Sequence, residues 1–227
     1  MSRLSSSFRP SVEQLESREV PSVSTFVTHL YQDVLGRQPD ASGYAFWVNR
    51  LELGTDTQSG ASTAFVTCPE YRTNVIRGFY VNILGRNPDA SEVNYFLNLF
   101  QQGWSQDGIR ALFFGSQEFY NRFGQNPAAF ATQMYSQILN RAASANEVSY
   151  WVNVLNSSNR DIYRIAQDFL TCKEYEQDEV IASYNVFLHR SADLVGFNFW
   201  VGQRQSGMTI ETVAVGFLSS FEYFWRA

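Results

Sequence analysis

Arginine and glutamate recur at fixed positions along this chain, and they are the side chains whose spacing best suits chemistry. Each arginine is followed 32 or 33 residues later by a glutamate: Arg37 and Glu70, Arg86 and Glu118, Arg141 and Glu174, Arg190 and Glu222. This recurrence favours an ion pair that ties a loop to a later helix. Two alternatives stay open: the glutamates occupy capping boxes with the arginines at helix C-termini, or the arginines bind an anion or glycan.

Other reactive side chains are few. The two histidines, His29 and His189, have no nucleophile or carboxylate at a motif-like spacing, so we expect neither a hydrolase triad nor a metal site. His29 falls at a variable position that we interpret as solvated. Cys68 and Cys172 hold equivalent places near helix starts, which favours a structural role over a catalytic thiol. We therefore predict a protein that is not an enzyme and has no cofactor.

The composition is typical of a globular protein. Of the 227 residues, 44% are hydrophobic and 17% are charged. The net charge of −5, with lysine and arginine scattered, gives no basic stripe for nucleic acid. No apolar run approaches the roughly 18 residues of a transmembrane helix. We expect a soluble or peripherally attached protein.

The arginines belong to a repeat. A tyrosine precedes each one, and the spacings from Tyr31 to Tyr80, Tyr135 and Tyr184 are 49, 55 and 49 residues. A period near 50 with helical patterning indicates supersecondary units that bury their faces on one another. The units are 24–71, 72–124, 128–175 and 176–227. The turn cluster at 124–127 predicts two helical domains, 24–124 and 128–227, with a boundary near 124–128.

Apolar periodicity and turn residues indicate the first two helices of each unit. Residues 26–35 carry an apolar stripe of helical period. Gly36 and Gly85 stand where a left-handed residue ends a helix, and Asn140 tolerates that conformation next best. The second helices start at suitable N-cap acceptors: Asp40, Asp89, Ser144 and Asp193.

The later helices follow the same pattern. The third helix carries a phenylalanine in every unit: Phe65, Phe113, Phe169 and Phe217. The fourth begins at a capping box in three units, with N-caps at Thr67, Thr171 and Ser219 and the recurring glutamate three residues later. Its apolar stripe then runs into the first helix of the next unit. No strand pattern competes, so we predict an all-α fold of four repeats.

Aromatic residues make up 16% of the chain. One lies ten positions after each recurring arginine and is predicted to anchor the core: Trp47, Phe96, Trp151 and Trp200. Trp104 and Trp225 fall outside this pattern. They could form a sugar-stacking or protein-binding patch, or cap the open face of the last unit. We favour capping.

These motifs resemble the family called the domain of unknown function 4214. Its repeat carries a Tyr, then Leu-Gly-Arg-x-Pro-Asp, an aromatic residue, and Phe-Leu-x-Ser-x-Glu-Tyr. Units one and two keep Leu-Gly-Arg-x-Pro-Asp, and Phe217 to Tyr223 keeps most of the ending. The family is similar to the all-helical linker domains of the phycobilisome. The resemblance implies an extracellular or surface module with no known activity.

Residues 1–23 are predicted to form a mobile tail. They lack the apolar core of an ordinary signal peptide. Arg9-Pro10, Glu13 to Arg18 and Pro21-Ser22 resemble the short N-terminal motif of the planctomycete extracellular family, which is associated with export. This resemblance implies that the chain works outside the cytoplasm.

Together these features favour a non-catalytic protein that is secreted or exposed on the cell surface. The expected partner is another protein or a second copy of the chain. The runner-up is a module that binds carbohydrate or the cell envelope, which exposed aromatics outside the core stripe would support. An enzyme would need a polar pocket with perturbed carboxylates, and no spacing indicates one.

Overall fold

The computed structural model describes residues 22–157 and 161–226, and these residues form helices and no strand, as the apolar periodicity predicts. Repeats one and two contain α1 Val23–Leu35, α2 Ala41–Glu52, α3 Gln58–Thr67, α4 Pro69–Phe79, a π-helical turn Tyr80–Leu84, α5 Ala90–Gln101, α6 Gln106–Phe114 and α7 Gln117–Arg122. Repeats three and four contain α8 Pro127–Ile138, α9 Ala145–Ser157, α10 Ile162–Leu170, α11 Lys173–Leu188, α12 Leu194–Gln205, α13 Ile210–Leu218 and α14 Phe221–Phe224. The predicted tail lies almost wholly outside the described residues.

The turn after the first helix of each repeat has a left-handed residue, as predicted for Gly36, Gly85 and Asn140. The φ angles are 68° at Gly36 and 70° at Gly85, and Asn140 and His189 adopt 49° and 51° in the other two repeats. Asn140 and His189 carry a Cβ in a region that favours glycine, so these two turns are less relaxed than their glycine counterparts.

The fourth helix runs into the next repeat at two of the three junctions, as predicted. The π-helical turn Tyr80–Leu84 continues α4 directly, and α11 is one helix of 16 residues. At the middle junction the chain turns through Gly124 and Gln125, which both have positive φ, before Pro127 starts α8. The extra residues of this turn account for the longer middle spacing.

The predicted capping boxes at the fourth helices are wrong by one residue. The N-caps are Cys68, Ser116, Cys172 and Ser220, and each side chain accepts a hydrogen bond from the backbone N–H three residues later. The recurring glutamate therefore stands at the second helical position, where its side chain cannot reach back to the cap. It is left to pair elsewhere.

Two hydrophobic clusters form the core, and they do not follow the predicted domains. One cluster joins repeats two and three, from Ile76 to Tyr175. The other joins repeats one and four, from Phe26 to Val66 and from Val180 to Tyr223. A boundary near 124–128 would cut the first cluster, in which the Phe119 and Phe130 rings lie 6.1 Å apart. The ranges 24–124 and 128–227 are therefore halves of the sequence and not separate cores.

The pairing closes the four repeats on themselves. Helix α6 packs on α10, and α3 packs on α13. At the first of these contacts Gly115 approaches the backbone of Tyr163 so closely that an added Cβ would lie 2.4 Å from the Tyr163 Cα. The end of the chain packs on its beginning, since the Tyr223 ring meets the Phe26 ring edge-on at 5.9 Å.

Candidate functional site

The recurring arginine and glutamate meet in all four repeats, and we call each pair a clamp. The arginine Nη2 donates to the glutamate Oε2 at 2.9 Å for Arg37 and Glu70, 3.0 Å for Arg86 and Glu118, 3.0 Å for Arg141 and Glu174, and 2.8 Å for Arg190 and Glu222. The Nε donates to the other carboxylate oxygen, so each pair is bidentate. The clamp fastens the turn after the first helix to the start of the fourth helix.

Each guanidinium also lies over the recurring tyrosine of its own repeat. Its central carbon is 4.9, 4.6, 4.6 and 4.9 Å from the ring centroids of Tyr31, Tyr80, Tyr135 and Tyr184. Repeats two and three add a second carboxylate: Arg86 Nη1 donates to Glu92 at 2.9 Å and Arg141 Nη2 donates to Glu147 at 2.8 Å. These contacts occupy the guanidinium donors, so an external anion would have to displace a carboxylate.

The electrostatics agree with this geometry. Hydrogen bonds from the arginines lower the pKa values of Glu70, Glu118 and Glu222. Bonds from Arg86 and then from the Asp89 backbone lower the pKa of Glu92, while burial raises the pKa of Tyr80 to about 12. The clamp side chains are 36–46% exposed, so solvent screens the pairs and limits what each contributes to stability.

The predicted aromatic anchors are half-buried and pack on the phenylalanine of the third helix. The ring centroids of Trp47, Phe96, Trp151 and Trp200 lie 5.5, 4.6, 5.0 and 5.0 Å from those of Phe65, Phe113, Phe169 and Phe217. The recurring tyrosine meets the same phenylalanine edge-on at 4.8–5.0 Å. Each repeat thus has a tyrosine, phenylalanine and anchor cluster beneath its clamp.

Sequence reasoning missed a second recurring aromatic, directly before each anchor. These four side chains, which we call the outer aromatics, are 52–58% exposed: Phe46, Tyr95, Tyr150 and Phe199. Each meets the neighbouring anchor edge-on at 5.0–5.1 Å. The sequence does show an aromatic residue before each anchor. An apolar stripe does not by itself show which of two adjacent residues faces solvent, so the exposure of these four side chains could not be predicted.

The two aromatics outside the repeat pattern are exposed. Trp104 is 38% exposed and Trp225 is 50% exposed. The Trp225 ring packs on Phe221 at 5.1 Å, and Phe221 is itself 74% exposed. The prediction that these tryptophans cap the last repeat is wrong, because α1 covers that end through Phe26 and Asp33 instead.

The cysteines and histidines have local roles. Both cysteines are free thiols, and burial raises the pKa of Cys172. His29 is half-buried against the Tyr223 ring at 6.2 Å rather than solvated. Burial, then the nearby Arg226 charge, lowers the His29 pKa.

Residues 22–157 and 161–226 contain no group of three or more His, Cys, Asp or Glu side chains placed to hold a metal ion. None of their helices combines the length and the apolar character needed to cross a membrane.

Comparison with known proteins gives one match. The model of a family described as a domain of unknown function, DUF4214, matches four times, at residues 6–75, 71–123, 110–179 and 177–226. Neither the curated proteins nor the solved structures include a match to the chain. The four matches cover nearly all of the sequence and follow the four structural repeats.

Proposed function

This chain belongs to the DUF4214 family, and we propose that it is a non-catalytic module that works by protein–protein contact outside the cytoplasm. The observation that carries the proposal is the set of four outer aromatics, one on the second helix of every repeat. A soluble fold has no internal need for an exposed aromatic in each of four units. Such residues suit a contact surface.

The outer aromatics are held ready for contact. Each lies on a helix and leans edge-on against a half-buried anchor, which restricts its rotamers before a partner arrives. Aromatic side chains with few free torsions lose little entropy on binding and cover a large area. Four equivalent contacts on one chain also add avidity when a partner presents several matching sites.

Repeat four adds an aliphatic surface that favours a protein partner over a glycan. Leu194 and Val195 are 74% and 81% exposed at the start of α12. The equivalent residues elsewhere are small or polar: Ala41 and Ser42, Ala90 and Ser91, Ala145 and Asn146. Aliphatic side chains fill apolar protein interfaces, whereas flat aromatic rings are what sugar faces stack on.

The runner-up is a module that binds carbohydrate or the cell envelope. The exposure of Trp104 and Trp225 favours it, because exposed indole rings offer flat apolar faces. The clamps do not offer a glycan-binding site, since their guanidinium donors are already bonded to carboxylates.

The location outside the cytoplasm is supported by sequence resemblance alone. Arg9-Pro10, the run from Glu13 to Arg18, and Pro21-Ser22 resemble an export-associated N-terminal motif. Fractionation of cells that produce the full chain would test it: we expect the protein in the medium or envelope, and a wholly cytoplasmic protein would contradict the proposal.

The contact proposal is tested with matched variants of the full chain on a solid support. One variant replaces the outer aromatics Phe46, Tyr95, Tyr150 and Phe199 by serine, and the control replaces Trp104 and Trp225 by serine. Both are offered the secreted and envelope proteins of the source cells. The proposal expects proteins that the parent and the control retain but the outer-aromatic variant does not, with at least about tenfold weaker affinity for the identified protein.

Light scattering and polysaccharide binding complete the test. Growth in mass with concentration that the outer-aromatic variant abolishes would identify the partner as a second copy. Retention on insoluble polysaccharide that depends on Trp104 and Trp225 would favour the carbohydrate module. Equal retention of every protein by the parent and the outer-aromatic variant would refute the contact proposal.

A further inference from the structure

A cavity of about 250 Å³ lies where repeats two, three and four meet. Helix α6 contributes Asp107, repeat three contributes Leu170, and repeat four contributes Glu176, Arg204 and Met208. Apolar and charged walls in one small enclosure are typical of sites that bind small molecules. The proposed contact surface uses none of these residues.

Glu176 is the residue that distinguishes this cavity. The residue is only 7% exposed, and within the described part of the chain its carboxylate makes no hydrogen bond or ion pair. Burial raises its pKa, against the opposing charge of Arg204. Its carboxylate oxygens face the open space of the cavity without a partner, and unpaired charged groups in clefts mark binding sites.

Arg204 does not bond to Glu176: two of its guanidinium nitrogens are engaged elsewhere, and within the described residues its Nε is buried without a partner. Its Nη2 donates to Asp107 at 2.6 Å and its Nη1 donates to the Met208 carbonyl at 2.8 Å. Asp107 also accepts from the Tyr175 hydroxyl at 2.8 Å. The charges of Asp107 and Arg204 offset each other. The charge of Glu176 therefore makes the cavity lining negative overall.

The rest of the lining suits a short apolar chain that carries a cation. Ala111, Leu170 and Met208 supply apolar surface, and the hydroxyls of Thr171 and Thr209 supply further acceptors. The Thr171 hydroxyl donates to the Gln167 carbonyl and the Thr209 hydroxyl pairs with Thr212, so Glu176 is the charged acceptor that a primary ammonium would meet here.

The equivalent positions in repeats one and two carry a different pair of side chains. Repeats one and two carry Arg72 and Phe100 at the positions equivalent to Glu176 and Arg204. Arg72 lies over the Phe100 ring at 4.9 Å, which gives that charge an internal partner. The unpaired carboxylate is thus a departure from the repeat and not a requirement of the fold.

We propose that this cavity binds a small molecule with a primary ammonium group on a short apolar chain. The ammonium donates to Glu176, and the chain lies against Ala111, Leu170 and Met208. A ligand of this size binds with a dissociation constant of roughly 10 µM to 1 mM.

The test is calorimetry on the full chain at pH 7.5 with three probes of one shape: n-butylammonium, n-butanol and n-butyrate. Butylammonium should bind at least about tenfold more tightly than the others, because only it meets the Glu176 carboxylate with a charged donor. This comparison uses the unaltered protein. Equal binding of butanol or tighter binding of butyrate would overturn the proposal, as would no detectable butylammonium binding at 20 mM, well above the expected range.

Two variants locate the site. Glu176→Gln keeps the shape and removes the charge, and should weaken butylammonium at least about tenfold. The double variant Glu176→Arg with Arg204→Phe copies the Arg72 and Phe100 pair of the same chain and should abolish binding while the thermal unfolding transition stays cooperative. Unchanged affinity in Glu176→Gln would overturn the assignment. Nα-acetyl-lysine amide is a fourth probe, which tests whether the natural ligand is a free amine or a lysine side chain of a partner protein. Tight binding of butylammonium or of this probe supports recognition of a primary ammonium.

Discussion

Replacing Asp33 should weaken the junction at which the two ends of the chain meet. Asp33 Oδ2 accepts from the Tyr223 hydroxyl at 2.9 Å and from Arg226 Nη2 at 2.7 Å. The side chains of Asp33 and Arg226 are each only 14% exposed, and Arg226 lies over the Tyr223 ring at 5.0 Å. Since no connecting segment joins α14 to α1, these contacts and the apolar packing hold repeats one and four together.

The magnitude follows from what the substitution leaves behind. Asp33→Ala removes two hydrogen bonds to a carboxylate and leaves a mostly buried guanidinium and hydroxyl without this partner. We expect the free energy of unfolding to fall by about 2–4 kcal/mol. For a chain of this size that corresponds to a drop in melting temperature of roughly 4–16 °C. Asp33→Asn keeps an acceptor oxygen and should lose about half as much.

The assay is urea unfolding followed by tryptophan fluorescence and by far-ultraviolet circular dichroism. Gln137→Ala is the matched control, because Gln137 holds the position equivalent to Asp33 at the junction where α7 and α8 are connected through a turn. Its amide donates to the side chain of Gln133 on the same helix, and among the described residues it has no side-chain partner across the junction. The control should change the free energy of unfolding by less than about 0.5 kcal/mol.

A double-mutant cycle with Arg226→Ala decides whether the ion pair itself is responsible. We expect a coupling energy of about 1–3 kcal/mol between the two positions. Additive losses, or a loss below about 0.5 kcal/mol in Asp33→Ala, would show that apolar packing alone closes the junction.

Three further outcomes are expected. In a double-mutant cycle measured by urea unfolding, Arg86→Ala and Glu118→Ala should show a coupling energy of about 0.5–1 kcal/mol, because their bidentate pair is shielded by Tyr80 but remains partly exposed. Additive losses of stability would show that the clamp is not a stabilising pair. Gly115→Ala should lower the free energy of unfolding by about 1–3 kcal/mol, because its Cβ would lie 2.4 Å from the Tyr163 Cα. Gly202→Ala, on an open helix surface, is the control and should not destabilise the protein. An unchanged free energy of unfolding in Gly115→Ala would show that α6 and α10 can separate. The folded state lowers the His29 pKa below 6.5, so the unfolded chain binds more protons as pH falls through that value. The free energy of unfolding should therefore drop from pH 7.5 to pH 5, and it should drop less in His29→Gln. The same dependence of stability on pH in both proteins would contradict this assignment.

The clamp could be predicted from the sequence because both partners recur in every repeat. The sequence left open whether each glutamate side chain would bond to the arginine or to the backbone of its own helix N-cap. That choice rested on one residue of helix register, since an N-cap at Thr67 would have engaged Glu70 and an N-cap at Cys68 does not. Helix propensity does not distinguish such neighbours, and only the cap geometry in the structure shows which residue begins the helix.

The cavity is visible in the sequence only as two departures from the repeat. Glu176 and Arg204 replace residues that are aromatic, aliphatic or differently charged in the other units. Sequence reasoning aligned the repeats for what they share, and it had no means to know that positions 28 residues apart would meet across one enclosure. Their distance in space depends on how repeats two, three and four pack.

By itself the sequence determined the four helical repeats, the turns that end the first helices and the aromatic anchors beneath the clamps. These features depend on local spacing, on left-handed turn residues such as Gly36, and on contacts inside one repeat. Only the tertiary structure decided that repeat two shares its core with repeat three, and repeat one with repeat four. Nearly identical apolar faces in every repeat make several pairings locally acceptable. The choice among them depends on a few long-range contacts, such as Gly115 against Tyr163 and Asp33 against Arg226, whose partners no local pattern specifies.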